Sequence, residues 1–161
     1  MKQLGFGGGC HWCTEAVFES LVGVVDVRQG WIASDAPHDA FSEAVIVHFS
    51  EEITPDILIR IHLLTHSSTK RHSMRDKYRS AVYYFEESER DFVRDWIRDF
   101  SKADGVEYIT QALPFREFKL NRDEQLHYYL QNKQAPFCET YINPKLSLLR
   151  KKFASHSKPN F

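Results

Sequence analysis

The chain contains no uninterrupted apolar run of about 18 residues, the length that a membrane-spanning helix requires. No apolar export segment follows Met1 and Lys2 at the N-terminus. Net charge is also scarce, because 21 basic and 22 acidic side chains leave a balance of −1, which argues against an electrostatic nucleic-acid partner. We therefore expect a cytoplasmic protein whose partners are neither membranes nor nucleic acids.

Cysteine is rare and its number is odd. Three cysteines in 161 residues do not make the paired framework of a small secreted domain, and this favours a reducing compartment. The length fits one domain whose core needs neither disulfides nor a metal. We predict a monomer with a single domain over residues 1–161, in which a core over about 4–138 precedes a C-terminal tail over 139–161.

Glycine is also uncommon, yet four of the seven glycines stand at positions 5, 7, 8 and 9, directly before Cys10. Their spacing does not match the glycine-rich loops that bind phosphate. Glycine permits tight turns and close approach of a substrate, and a helix starting near His11 would lower the pKa of a thiol at its N-terminus. These features predict Cys10 as a nucleophile.

A second cysteine follows three residues later, as Cys13. Two thiols at this spacing on one helix face can approach closely enough to form a disulfide, so the pair indicates a redox dithiol. A zinc site would need four ligands, and the sequence has no second Cys-x-x-Cys. We predict no metal site.

Apolar periodicity predicts an α+β fold. Val25 and Val27 are expected on one face of a strand, and the run Ala44 to Val47 is expected to be buried on both faces. The predicted strands cover residues 4–7, 24–31, 44–47, 80–85 and 108–113, and the predicted helices cover 11–21, 57–64, 88–104 and 123–130. This order is typical of a ferredoxin-like split βαβ core, a mixed sheet with helices packed on it. We expect an irregular, solvated C-terminal extension, apart from a possible basic helix over 146–153.

The segment Gly8-Gly9-Cys10-His11-Trp12-Cys13-Thr14-Glu15 resembles the signature of the peptide methionine sulfoxide reductase A family, whose usual form is Gly-Cys-Phe-Trp followed two residues later by Glu. The resemblance continues downstream. Ser42-Glu43-Ala44-Val45 is similar to a family strand beginning His-Ala-Glu-Val-Val. Residues 76–81 are similar to the family's Thr-Gln-Tyr-Arg-Ser segment, and Phe137-Cys138 is similar to its Tyr-Cys pair.

The resemblance implies a reaction. A thiolate at Cys10 would attack the sulfur of methionine S-sulfoxide, free or in an oxidised protein, and become a sulfenic acid as methionine leaves. A second thiol would form a disulfide with it, which an external dithiol such as thioredoxin would reduce. The family needs no cofactor. Two alternatives remain open: a general thiol-disulfide oxidoreductase using Cys10 and Cys13, or a non-catalytic protein of the same fold.

The resemblance also implies roles for further residues. Glu43 would donate a proton to the sulfoxide oxygen, Tyr78 would hydrogen-bond that oxygen, and Trp12 would form the wall that holds the substrate's methyl group. Cys138 matches the recycling cysteine of the family and is slightly favoured for that role, with Cys13 as its partner or relay.

Several positions depart from the family pattern. His11 replaces a phenylalanine beside the methyl pocket, and Trp31 and Phe137 replace tyrosines. His72 and Ser73 stand where the family has Asn-Asp. We expect His11, Trp12 and Trp31 to contact the substrate, and each lost hydrogen-bond donor to reduce the rate by roughly 10²-fold if nothing compensates for it.

Overall fold

The computed structural model describes residues 1–70, 77–159 and 161. The strands are β1 (Gln3–Gly7), β2 (Val24–Ala33), β3 (Ser42–Phe49), β4 (Ala81–Tyr84), β5 (Gln111–Pro114) and β6 (Glu117–Leu120). The helices are α1 (His11–Glu19), α2 (Pro55–Thr65), α3 (Arg90–Asp104), α4 (Tyr128–Gln131) and α5 (Asn143–Lys152). Within these described ranges, no helix is long and apolar enough to cross a membrane.

One six-stranded sheet organises the molecule, in the order β5-β4-β1-β3-β2-β6. The four inner strands pair antiparallel, and α1 and α2 make the two crossovers that place β1 and β3 at the centre. Strand β5 adds parallel to β4 after α3, and β6 adds antiparallel to β2. This topology confirms the α+β fold with a split βαβ core.

Strand β3 is buried on both faces, as its apolar run predicted. Val45 and Val47 face the main core between the sheet and the helices. Ala44 and Ile46 face the other side of the sheet, where they pack in a smaller apolar cluster that includes Tyr83. Because Glu43 shares the pleat direction of Val45, its side chain is directed to the helical face, toward α1.

The expectation for Val25 was wrong. Val27 is buried, but 72% of the Val25 surface is exposed. A register shift between Val24 and Asp26 interrupts the pairing of β2 with β3. Such a bulge inserts an extra residue and turns the following side chains to the opposite faces, which alternation alone cannot predict.

The C-terminal residues pack on the core, so the expectation of a solvated extension was wrong, whereas the possible basic helix over 146–153 is confirmed as α5. Helix α5 buries Leu146 and Leu149 in the main core. Further along, the Lys158 backbone N–H donates a 2.8 Å hydrogen bond to the Ser20 carbonyl. The basic side chains lie on the solvated face of α5. Their number favoured the prediction of a solvated segment over the apolar spacing of the leucines that pack α5 on the core.

Two elements near residue 120 also differ from the prediction. Strand β6 was not predicted, because four residues with one apolar-to-polar alternation give little signal. The predicted helix over 123–130 is a short turn followed by α4, since His127 between them has φ 53°, the left-handed region that ends a helix.

Candidate active site

Cys10 occupies the N-cap position of α1, and the N–H groups of Cys13 and Thr14 donate to its carbonyl at 3.1 and 3.2 Å. The chain enters this position through Gly8, whose φ is +154°. A Cβ at Gly8 would lie 2.4 Å from the His66 ring, so no larger residue fits there. The glycine-rich segment therefore sets how Cys10 is presented.

The surroundings of Cys10 favour its thiolate. Its pKa is lowered, chiefly because the Cys13 side chain donates a hydrogen bond to it, and also because the backbone N–H groups of Trp12 and Cys13 point at the sulfur. Burial and the negative charge of Glu43 oppose this. Cys10 is half-buried, so partial access of this residue is combined with a lowered pKa of its thiol.

The other two thiols are protonated and buried. The pKa of Cys13 is raised, first by its hydrogen bond to Cys10 and then by burial. Cys138 is fully buried in the same core cluster as Cys13, and burial raises its pKa as well. Of these two thiols, Cys13 is the one whose side chain acts on the pKa of Cys10.

A cavity of about 240 Å³ opens beside Cys10 and Cys13. Its walls include His66, Tyr141 and Lys145, whereas Cys138 does not line it. The Lys145 ammonium donates to the Thr65 carbonyl at the end of α2. Burial lowers the pKa of Lys145. The positive charge of Lys145 acts in the lowering direction on the pKa of Cys13 and so opposes part of its rise. Helix α5 thus contributes a cation to the thiol pair.

Glu43 lies at the N-terminus of α1 with 6% of its surface exposed. Its Oε1 accepts from the His11 backbone N–H at 3.3 Å and lies 3.4 Å from His11 Nε2. Its Oε2 lies 3.5 Å from the Nζ of Lys77, whose side chain is 56% exposed. Glu43 is therefore a buried carboxyl at the end of the helix that carries Cys10, and its charge acts on the Cys10 thiol.

Trp12 packs in an aromatic cluster. Its ring stacks on Tyr128 with centroids 3.9 Å apart and 5° between the planes, and the edge of Phe137 meets it at 5.4 Å. Glu15, buried in α1, accepts the backbone N–H groups of His127 and Tyr128 at 2.9 and 3.0 Å. The glutamate of the signature thus holds the segment that positions Tyr128 against Trp12.

The remaining predicted residues lie around Glu43 and His11. Trp31 meets the His11 ring edge-on at 5.1 Å. Tyr78 is half-buried, with Lys77 Nζ 5.1 Å from its ring centroid. Lys77 therefore links Tyr78 to Glu43. His72, Ser73 and Asp76, which belong to the compared segments, lie outside the described residues.

Sequence reasoning missed four residues of this site, namely Lys77, Asn121, Tyr128 and Lys145. Lys77 stands directly before Tyr78 in a motif that was recognised, so it could have been found. Asn121 and Tyr128 reach the site through β6 and the His127 turn, neither of which was predicted. Lys145 was assigned to a solvated tail.

A family model described as peptide methionine sulfoxide reductase matches residues 2–157. The peptide methionine sulfoxide reductase MsrA of Psychrobacter sp. is 31% identical, over 97% of this chain and 98% of its own length. The reduced form of Mxr1 from Saccharomyces cerevisiae has a similar fold, with a TM-score of 0.73, 21% identity, and coverage of 87% of this chain and 90% of its own. Mxr1 in complex with Trx2 gives a TM-score of 0.62 at 19% identity, covering 77% and 82% of the two chains.

Proposed function

The chain belongs to the peptide methionine sulfoxide reductase family, and we propose that Cys10 and Glu43 carry the central step of its reaction. It is an oxidoreductase that reduces methionine S-sulfoxide to methionine in a thiol-dependent reaction. The observation that supports the residue assignment most strongly is the lowered pKa of Cys10 next to a buried carboxyl.

In the first step, the Cys10 thiolate attacks as the Glu43 carboxyl gives its proton to the sulfoxide oxygen. The oxygen passes to Cys10 as a sulfenic acid, so the cysteine sulfur is oxidised while the substrate sulfur is reduced to the thioether of methionine. Tyr78 donates a hydrogen bond to the oxygen, and Trp12 and Trp31 hold the substrate. The contact of Lys77 with both Glu43 and Tyr78 supports a shared position for these groups.

In the second step, Cys13 attacks the sulfenic acid, and a disulfide forms with release of water. This order is supported by the position of Cys10 and Cys13 on one cavity, by the effect of the Cys13 side chain on the pKa of Cys10, and by the complete burial of Cys138 in the core. Cys138 then takes over the disulfide from Cys10 by attacking Cys13. We therefore propose Cys13 as the first resolving thiol, in place of Cys138, which the family resemblance slightly favours.

The resulting disulfide between Cys13 and Cys138 needs an external reductant. We assign this role to a thioredoxin-like dithiol, which would attack the Cys13 sulfur through the cavity that Cys13 lines. The complex of Mxr1 with Trx2 supports this class of partner. We further propose a cytoplasmic monomer in which residues 1–161 act as one catalytic domain, without a prosthetic group, on free or protein-bound substrate.

Disulfide mapping after one turnover tests the order of the thiols. The reduced protein receives one equivalent of methionine S-sulfoxide and is then alkylated and digested for mass spectrometry. We expect a Cys10–Cys13 disulfide in the Cys138→Ser variant and an accumulating Cys10 sulfenic acid in the Cys13→Ser variant. A Cys10–Cys138 disulfide that forms at the normal rate in Cys13→Ser would contradict the order.

A general thiol-disulfide oxidoreductase would share the dithiol but would not need Glu43. Reduction of insulin disulfides at a rate unaffected by Glu43→Gln would favour that alternative. A folded protein that forms no sulfenic acid with sulfoxide would instead indicate a non-catalytic member of the family.

A further inference from the structure

His11 is bound in a buried polar network whose donors and acceptors can be assigned. Its Nδ1 lies 2.8 Å from the Gly30 carbonyl, which can only accept, so Nδ1 carries a hydrogen. In the neutral imidazole, Nε2 is therefore the atom with the free lone pair. This lone pair is directed to the other side of the ring, away from β2.

The partners of Nε2 are fixed by the rest of the network. The Arg122 backbone N–H donates to Asn121 Oδ1 at 2.9 Å, so Asn121 Nδ2 is turned toward His11, 3.4 Å from Nε2, and toward Gln29 Oε1 at 2.6 Å. Gln29 is oriented in turn by its donation to the Gln125 carbonyl at 3.0 Å. The imidazole ring is thus held from β2 and from the segment after β6.

The second neighbour of Nε2 is the Oε1 of Glu43, at 3.4 Å. His11 and Glu43 are each 6% exposed, so no bulk water surrounds the gap between these two atoms. Among the residues that the structure describes, the other titratable or charged groups near this pair are Cys10 at the N-cap, Lys77 at Glu43 Oε2, and Lys119, whose Nζ lies 5.8 Å from the Trp31 ring that packs on His11.

On this geometry, we propose that His11 is a positioning residue that shares one proton with Glu43 and can supply that proton to it during turnover. This inference rests on the proposed role of Glu43 as the proton donor. The proton resides either on Glu43 Oε1 or on His11 Nε2, and one short transfer interconverts the two forms. When the proton resides on His11 Nε2, it moves to Glu43 Oε1 and from there to the sulfoxide oxygen, so the imidazole becomes neutral and Glu43 ends as a carboxylate. Solvent then restores the proton of the pair.

A pair with two proton sites holds its proton to higher pH than one site alone, because the affinities of the two sites add. An imidazole and a carboxyl in water differ by roughly two pH units in their titration. Removing the imidazole is therefore expected to move the alkaline limb of the rate profile to lower pH by about one to two units, and to reduce the rate above neutral pH by about ten- to a hundredfold.

The test measures single-turnover methionine formation from pH 5 to 9 in wild type, His11→Phe and His11→Gln. Phenylalanine keeps a ring of similar shape, and glutamine keeps a polar group toward Glu43, but neither side chain takes up a proton in this range. In both variants we expect the alkaline limb of the rate profile to lie at lower pH and the KM for methionine sulfoxide to be unchanged. The control is His48→Phe, which removes a half-exposed histidine that contacts Asp26 on β2; its profile should match wild type.

A His11→Gln profile that coincides with wild type, or a raised KM with an unmoved limb, would overturn the proposal and leave His11 as part of the substrate wall. Wild-type protein that forms no methionine would instead refute the proposed function. A second readout is independent of turnover: in nitrogen-15 NMR of the histidine side chains, the His11 titration should move in Glu43→Gln, and a titration identical to wild type would also overturn the shared proton.

Discussion

Replacing Glu43 with glutamine tests two separate effects of this residue. Glu43 is the proton donor of the proposed first step, and its negative charge also opposes the ionisation of Cys10. Glutamine has the same shape and can still accept the His11 backbone N–H with its carbonyl oxygen. It loses the contact with Lys77, which is 56% exposed at the side chain and so contributes less than about 1 kcal/mol to folding. The variant should therefore fold with nearly unchanged stability.

The effect on catalysis should be far larger. A positioned general acid contributes roughly 10²- to 10⁴-fold, which corresponds to about 3–5 kcal/mol of barrier. The Glu43 charge raises the pKa of Cys10, so its removal should lower that pKa further and increase the thiolate fraction wherever Glu43 is ionised in the wild type. We predict slower sulfoxide reduction together with faster alkylation of Cys10 at pH 7 to 8.

Quenched-flow measurement of methionine provides the first rate, and mass spectrometry of iodoacetamide labelling at Cys10 provides the second. Thermal unfolding checks that the variant is folded. Reduction at the wild-type rate would refute Glu43 as the acid. A parallel decrease of both rates in a folded variant would show that Glu43 acts by shaping the Cys10 loop, and would refute the electrostatic reasoning.

Two further predictions concern residues around the thiols. Lys145→Met removes a positive charge that lowers the pKa of Cys13, so the disulfide should form more slowly and dimedone should label more of the Cys10 sulfenic acid. Lys145→Arg keeps the charge and should retain fast disulfide formation. Equal labelling in both variants would contradict this prediction. Gly8→Ala places a Cβ 2.4 Å from the His66 ring, which is held by a 2.7 Å hydrogen bond to the Ser80 hydroxyl. Both the melting temperature and the rate of Cys10 alkylation should therefore fall. A variant with wild-type values would show that the loop adapts freely.

Local patterns predicted the parts of this protein that depend on neighbouring residues. The glycines before Cys10, the start of α1 and the doubly buried β3 all follow from short-range composition, and the signature around Cys10 identified the family. Parts that depend on distant segments were not predicted. The bulge that exposes Val25, the stacking of Tyr128 on Trp12 and the approach of Lys145 to Cys13 each need the folded sheet or α5 to bring remote residues together.

The choice between Cys13 and Cys138 shows the same limit. Sequence spacing put Cys13 near Cys10, and the family resemblance favoured Cys138. Only packing shows that Cys13 lines the same cavity as Cys10 while Cys138 is completely buried. His11 is similar, since its substitution was visible in the signature, but its contact with Glu43 depends on the pairing of β2, β3 and β6.

The most direct test of the account is the stoichiometry of Cys10 oxidation in the Cys13→Ser, Cys138→Ser double variant, without reductant. One turnover with methionine S-sulfoxide should yield one methionine per protein molecule and one dimedone-trapped sulfenic acid, located at Cys10 by mass spectrometry. Methionine formed without a sulfenic acid at Cys10, or sustained formation in a Cys10→Ser variant, would contradict the claim that Cys10 receives the oxygen.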